Sequence, residues 1–202
     1  MLTILEGTAS ELRAVTESEL AAYRYEVFVQ SLGWKLPCDP GIERDQFDRN
    51  DTVYVVAKES DGSIGGCARL LPTTKPYLLA EVFPQLLGQT PPPSDTSVWE
   101  LSRFSTQSRS GVPFGRDEMR RRFCTLFAAV VEAATERGAT RLITFTALGV
   151  ERILRSIGMH AHRLGPPQLV DSEPVLALWI ELDDQTRASL GLPAIESNER
   201  IH

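Results

Sequence analysis

Four charged residues stand where the hydrophobic pattern calls for apolar ones. Arg24 lies four residues after Leu20 and four before Phe28, on the inward face of a helical stretch that includes Tyr23 and Val27. Arg69 alternates with Cys67 and Leu71 in a strand-like run, and Glu100 and Arg103 interrupt another. Beside them in sequence is an acidic loop, 35–51, with Asp39, Glu43, Asp45, Asp48 and Asp51, preceded by Trp34. Each feature alone also fits a structural ion pair or a solvated loop. Together they favour a polar site, because half-buried charges are costly unless paired. Guanidiniums suit a carboxylate, acids suit an amine or other cation, and an indole suits cation–π contact, so the set fits a zwitterionic ligand.

Other chemistries lose their support. No G-x-S-x-G, P-loop, H-E-x-x-H or G-x-G-x-x-G context is present. His160 and His162 are too few for a metal centre, so a surface pair is expected and no metal. Cys38, Cys67 and Cys124 are odd in number and lack CxxC spacing, which fits a reduced cytoplasmic protein without disulfides. The balance of 21 Lys plus Arg against 27 Asp plus Glu, a net charge of -6, argues against nucleic acid or a membrane surface as partner. No apolar run approaches the ~18 residues of a membrane span, and Glu6 interrupts the start of any signal peptide.

The elements that must position these residues follow from periodicity. A helix is expected over 18–32 with Ser18 as its cap, then strands over 52–58 and 64–71 joined by a turn at Ser60-Asp-Gly-Ser63. Residues 76–96, with five prolines, read as a surface connection. Next come a strand over 97–105, a loop from Gly111 to Gly115, a helix over 116–137 ended by Gly138, a strand over 140–146, a helix over 149–157 ended by Gly158, and a strand over 174–182 before a short helix. That order, with no repeat or composition break, predicts one domain over 1–202, an α/β sandwich around a mixed, mostly antiparallel sheet, with a polar tail at 190–202. Strict alternation puts Glu100 with Val98 and Ser102, and Arg103 with Trp99 and Leu101 on the opposite face. If both serve one cleft, the strand must bulge or end between them.

The segments Arg24-Tyr-Glu-Val-Phe28, Gly33-Trp34, Glu43, Asp45-Gln-Phe-Asp48, Ala68-Arg69-Leu-Leu-Pro72, Phe83 and Trp99-Glu100-Leu-Ser-Arg103-Phe104 agree in order and spacing with one family. Through them the chain resembles the acyl-homoserine-lactone synthases of the LuxI type, whose fold is similar to that of the GCN5-related N-acetyltransferases. The resemblance implies a quorum-sensing transferase with two substrates and no prosthetic group. The α-amine of S-adenosylmethionine, the cosubstrate, attacks the thioester of an acyl-acyl carrier protein. The methionine carboxylate then displaces methylthioadenosine to close the lactone, a step that needs positioning more than a further nucleophile.

On that resemblance, Glu100 is expected to deprotonate the amine, with Glu43 as competitor. Asp45 and Asp48 would bind the ammonium or hold Arg69 and Arg103. Arg24 and Arg103 are candidates for the cosubstrate carboxylate, with Phe28, Trp34 and Phe104 around it. The acyl chain would lie along Leu79, Thr144, Thr146, Val150, Ile153 and Leu154. Thr144 aligns with a position whose hydroxyl accompanies 3-oxo chains, whereas the C-terminal half resembles the octanoyl subgroup, and the octanoyl reading is preferred. An acidic carrier protein requires a local basic surface, for which Arg152, Arg155 and Arg163 are expected, with Arg116, Arg120, Arg121 and Arg122 as the alternative.

Two rivals remain. An acyl-CoA-dependent N-acyltransferase of the same fold usually carries Gln/Arg-x-x-Gly-x-Gly/Ala at a helix start to cradle pyrophosphate. The nearest segment, Ser108-Arg-Ser-Gly111-Val-Pro113, fails at both ends of that motif. A non-catalytic binding module on this fold would have no need of the whole charged set.

Overall fold

A computed structural model describes residues 2–12, 14–109 and 114–195. Its centre is a single mixed sheet. The strands are β1 (Thr3–Thr8), β2 (Val53–Lys58), β3 (Ile64–Pro72), β4 (Val98–Ser105), β5 (Arg141–Ala147), β6 (Ala161–Arg163), β7 (Gln168–Val170) and β8 (Glu173–Glu181), in the order β1-β2-β3-β4-β5-β8-β6 with β7 also on β8. Only the β4–β5 pair is parallel among these; the rest are antiparallel. The expected sandwich therefore stands, with strands added at both edges. β1 and the short β6 and β7 escape sequence reading because none has a sustained apolar alternation.

Helices cover both faces. α1 (Ala14–Arg24) runs directly into a π-helical stretch, Tyr25–Ser31, so Ser18 lies inside the helix and is not its cap. α2 (Leu78–Val82) lies on the same side of the sheet, whereas α3 (Arg116–Glu136) and α4 (Leu148–Ile157) cover the other, and α5 (Asp184–Ser189) follows β8. Under α3 and α4 lies the largest apolar core, which includes Val55, Leu70, Leu101, Leu126, Val130, Leu154 and Leu178. The opposite face carries two smaller cores. One joins Tyr23, Phe28, Tyr54 and Cys67 beneath α1, and the other joins Phe47, Leu71, Leu79, Leu86 and Ile143 beneath α2. The charged residues lie on this face, in contact with both cores.

One turn and one irregularity stand out in these strands. The turn at 60–63 forms as expected, with Asp61 accepting from Ser63 N–H and Gly62 at φ +85°. In β4 the pairing with β3 steps from Arg69–Ser102 to Cys67–Ser105, leaving two β4 residues opposite Ala68. This is the demanded bulge, and Arg103 occupies it at φ +52°, in the left-handed region. The extra residue places Glu100, Ser102 and Arg103 on one face and Leu101 and Phe104 on the other.

Candidate active site

Three arginines and three acids from four segments form one buried network. Arg24, at the end of α1, donates Nε to Glu43 and both Nη groups to Asp48, at 2.7 and 3.1 Å. Arg69, from β3, donates Nη1 to Asp45 at 2.6 Å and to Asp48 at 3.1 Å, and Nε to Ser102 at 3.0 Å. Arg103 donates Nη2 to Glu43 at 2.9 Å and to Asp45 at 3.0 Å. Asp48 is the hub, since it also accepts from Tyr54 Oη at 2.7 Å and from Asp45 N–H at 2.8 Å. The loop that supplies the acids is ordered by its own bonds: Glu43 N–H donates to Ala21 O on α1, Thr52 Oγ1 donates to Phe47 O, and Phe47 is buried as an anchor.

The charges sum to zero, which is how a network this buried is tolerated. Burial alone would raise the Asp48 carboxyl, but Arg24 and Arg69 hold it well below the usual range. Burial is likewise overridden at Glu43, where Arg103 and Arg24 lower the carboxyl. Arg69 Nη2 is buried with no partner among the described residues, a donor that an incoming acceptor would satisfy. Phe28 and Trp34 stack at 4.8 Å, and the Arg103 guanidinium lies 5.7 and 5.8 Å from their ring centres. Trp34 is 39% exposed, so this aromatic pair marks where the network meets solvent.

Glu100 occupies a different setting. Its Oε1 accepts from Leu79 N–H at 2.6 Å and its Oε2 from Leu78 N–H at 3.0 Å, so the carboxylate receives the first amides of α2. It is fully buried, and burial pushes its pKa up to about 7, against the opposing pull of the Leu79 and Leu78 amides, Arg69 and Arg103. Glu100 stands beside an opening in the sheet. The parallel pairing of β4 with β5 runs from Val98–Arg141 to Leu101–Thr144 and stops, although both strands continue. Thr144 Oγ1 donates to Leu101 O at 2.8 Å at this fork. Neither the fork nor the Glu100 amide partners carries a sequence signal, because α2 lies in the proline-rich stretch read as a connection.

The remaining expected residues are placed unevenly. Arg24 is enclosed behind Glu43 and Asp48, with every guanidinium nitrogen bonded, so it supports the network and does not offer a free face to a carboxylate. Phe104 packs on Phe123 and Phe127 at 5.1 and 5.3 Å in the core under α3, away from the network. Leu79 belongs to the core beneath α2, whereas Thr144, Thr146, Val150 and Leu154 lie on the α3–α4 side, so the sheet separates them. Ile153 is 40% exposed on α4.

Arg152, Arg155 and Arg163 do gather, around the buried Glu151 that sequence reading passed over: Arg155 and Arg163 pair with it at 2.9 and 2.6 Å, and all three lower its carboxyl. In the alternative cluster, Arg122 is removed from any docking role, being buried on Glu59, Gly65 O and the Phe114 ring. His160 and His162 are exposed and lie beside Asp183 and Glu181. Residues 110–113 of the expected loop and of the Ser108–Pro113 segment, and residues 196–202 of the tail, fall outside the described residues.

The mixed sheet, parted between parallel β4 and β5, has the same fold as an acyl-CoA N-acyltransferase from Pseudomonas aeruginosa, which superposes with a TM-score of 0.62 at 17% identity over 89% and 99% of the two chains. The autoinducer synthase family model matches residues 9–190, and the chain belongs to that family. It is 51% identical over 199 residues to an acyl-homoserine-lactone synthase of Ralstonia solanacearum, covering 96% of this chain and 95% of the relative. The crystal structure of TofI in a ternary complex with an inhibitor and MTA superposes with a TM-score of 0.83 at 47% identity, covering 95% and 97% of the two chains. A CoA-dependent acyl-homoserine lactone synthase, BjaI, solved with SAM and isopentyl-CoA, superposes at 0.79 with 28% identity over 96% and 91%. The chain is thus an acyltransferase with acyl-homoserine-lactone synthase activity.

Proposed function

We propose that the protein makes octanoyl-homoserine lactone from S-adenosylmethionine and octanoyl-acyl carrier protein. The observation that carries this reading is the juxtaposition of Glu100, beside the β4–β5 fork, with the neutral arginine–carboxylate network on the same face. The ammonium of the cosubstrate becomes a nucleophile only after losing a proton. Glu100, with its pKa pushed up to about 7, is matched to accept it at neutral pH, whereas Glu43 is held ionised by two arginines and is a weak base. Each Glu100 oxygen accepts one amide N–H, which leaves each a further lone pair.

Arg103, beneath the exposed Trp34, is the guanidinium for the methionine carboxylate. The unpartnered Arg69 Nη2 is a second donor, and Asp45, the most exposed acid of the network, faces the ammonium. Arg24 and Asp48 hold these groups in place. After amide formation expels the carrier thiol, the carboxylate attacks the carbon next to the sulfonium and methylthioadenosine leaves.

Two features favour the carrier protein and an unsubstituted chain. The Thr144 hydroxyl already donates its one hydrogen to Leu101 O, so it has none for a 3-oxo group. Arg152, Arg155 and Arg163 around Glu151 leave a surplus of positive charge for an acidic carrier. The test is a panel of octanoyl, 3-oxooctanoyl, butanoyl and dodecanoyl thioesters, each on carrier protein and on coenzyme A, with products identified by mass. Octanoyl-carrier protein is expected to give the highest kcat/KM. Faster turnover of octanoyl-CoA would move the protein to the coenzyme A type, and preference for the 3-oxo thioester would overturn the chain assignment.

A further inference from the structure

The Arg103 backbone is strained. A left-handed φ at a non-glycine residue is unfavourable and persists only where the surroundings enforce it. The guanidinium end is held by Glu43 and Asp45 and by the Phe28–Trp34 pair. The backbone end is met by Cys67 on β3, whose Sγ donates to Arg103 O at 3.1 Å.

Cys67 occupies the rung at which the β3–β4 pairing resumes beyond the bulge, opposite Ser105. It is 1% exposed, in the apolar core with Tyr23, Phe28 and Val56. Burial pushes its thiol up to about 12, so the proton needed for donation is present throughout the working pH range. The thiol has no part in the acyl-transfer chemistry outlined above, and it is too enclosed to meet a thioester.

We propose that Cys67 is a positioning residue: its thiol hydrogen bond to the Arg103 carbonyl holds the bulge in the conformation that presents the Arg103 guanidinium to the cosubstrate carboxylate. The proposal rests on the carboxylate role assigned to Arg103 above. Without the bond, the strained residue relaxes toward ordinary strand geometry and the guanidinium withdraws. The loss falls on cosubstrate recognition, whereas Glu100 lies outside the bulge and is unaffected.

Two pairs of variants separate the hydrogen bond from packing. Cys67→Ser and Cys67→Ala remove similar volume, but only serine donates. Cys67→Thr and Cys67→Val are close in shape, and only threonine donates, so the second pair serves if the small residues fail to fold. Steady-state kinetics with varied S-adenosylmethionine would be read alongside its equilibrium affinity. Alanine or valine is expected to raise the KM and Kd for S-adenosylmethionine about fivefold over its donating partner, with kcat within about twofold, as befits one lost hydrogen bond. Cys124→Ala, on α3, serves as the control and should leave both constants unchanged. Equal effects within each pair, or a change confined to kcat, would overturn the proposal. A failure of the underlying reading is distinguishable, because Arg103→Lys would then leave S-adenosylmethionine affinity intact.

Discussion

Glu100 and Glu43 are both buried carboxylates near the same arginines, yet their surroundings drive their protons in opposite directions. Glu43 meets two guanidiniums directly, which overcomes its burial. Glu100 meets only backbone amides at close range, and burial wins. The acid limb of the kcat/KM profile should therefore rise through a pKa of about 7 that belongs to Glu100. Glu100→Gln is expected to lower kcat/KM by about 10²- to 10⁴-fold and to abolish that limb. A variant with wild-type turnover and an unchanged profile would remove Glu100 from the role of base. The sequence pointed to both carboxylates, Glu100 because it interrupts an apolar strand pattern and Glu43 through the family resemblance, but not to the difference between them. That difference lies in the Leu78 and Leu79 amides, which are invisible until α2 is placed.

Among the elements, β4 shows most plainly what a pattern can and cannot say. Alternation alone forces a bulge or an end between Glu100 and Arg103 if they share a face, and the left-handed Arg103 supplies it. The parting of β4 from β5 at Leu101–Thr144 could not be read the same way, because unpaired and paired strand residues have the same composition. Likewise, a three-residue strand such as β6 or β7 has too few positions to show a period. The acyl-chain residues illustrate the cost: one set of apolar positions in sequence falls on both sides of the sheet, and Ile153 is exposed on α4. On α4, the helical spacing of Arg152 and Arg155 was legible, and Arg163 joins them through Glu151. Reversing Arg152 and Arg155 to Glu should raise the KM for acyl-carrier protein about tenfold and leave the KM for S-adenosylmethionine unchanged. The wild-type KM for carrier protein should also rise with salt. The opposite division between the two substrates would reject the patch.

For the whole molecule, the buried charges couple catalysis to stability. Asp48 and Glu43 have lowered folded pKa values, so their stabilisation is complete above the unfolded carboxyl values near 4 and is lost as pH falls through the lowered ones. Glu100 acts in the reverse sense. Its pKa is raised on folding, so it disfavours the folded state increasingly as pH climbs from about 4 to 7 and by a constant amount above that. Thermal unfolding should show a higher Tm at pH 5.5 than at pH 8, a difference that Glu100→Gln diminishes. An identical pH dependence in the variant would contradict this assignment. Asp48→Asn should destabilise the fold by about 3–5 kcal/mol in denaturant unfolding, because it leaves Arg24 and Arg69 buried with a neutral partner. The net charge of -6 conceals this internal balance and the positive surface on α4 alike. The most direct measurement is to mix the purified protein with S-adenosylmethionine and octanoyl-acyl carrier protein and quantify both products by mass. Equimolar octanoyl-homoserine lactone and methylthioadenosine are predicted, and methylthioadenosine without lactone, or neither product, would contradict the account.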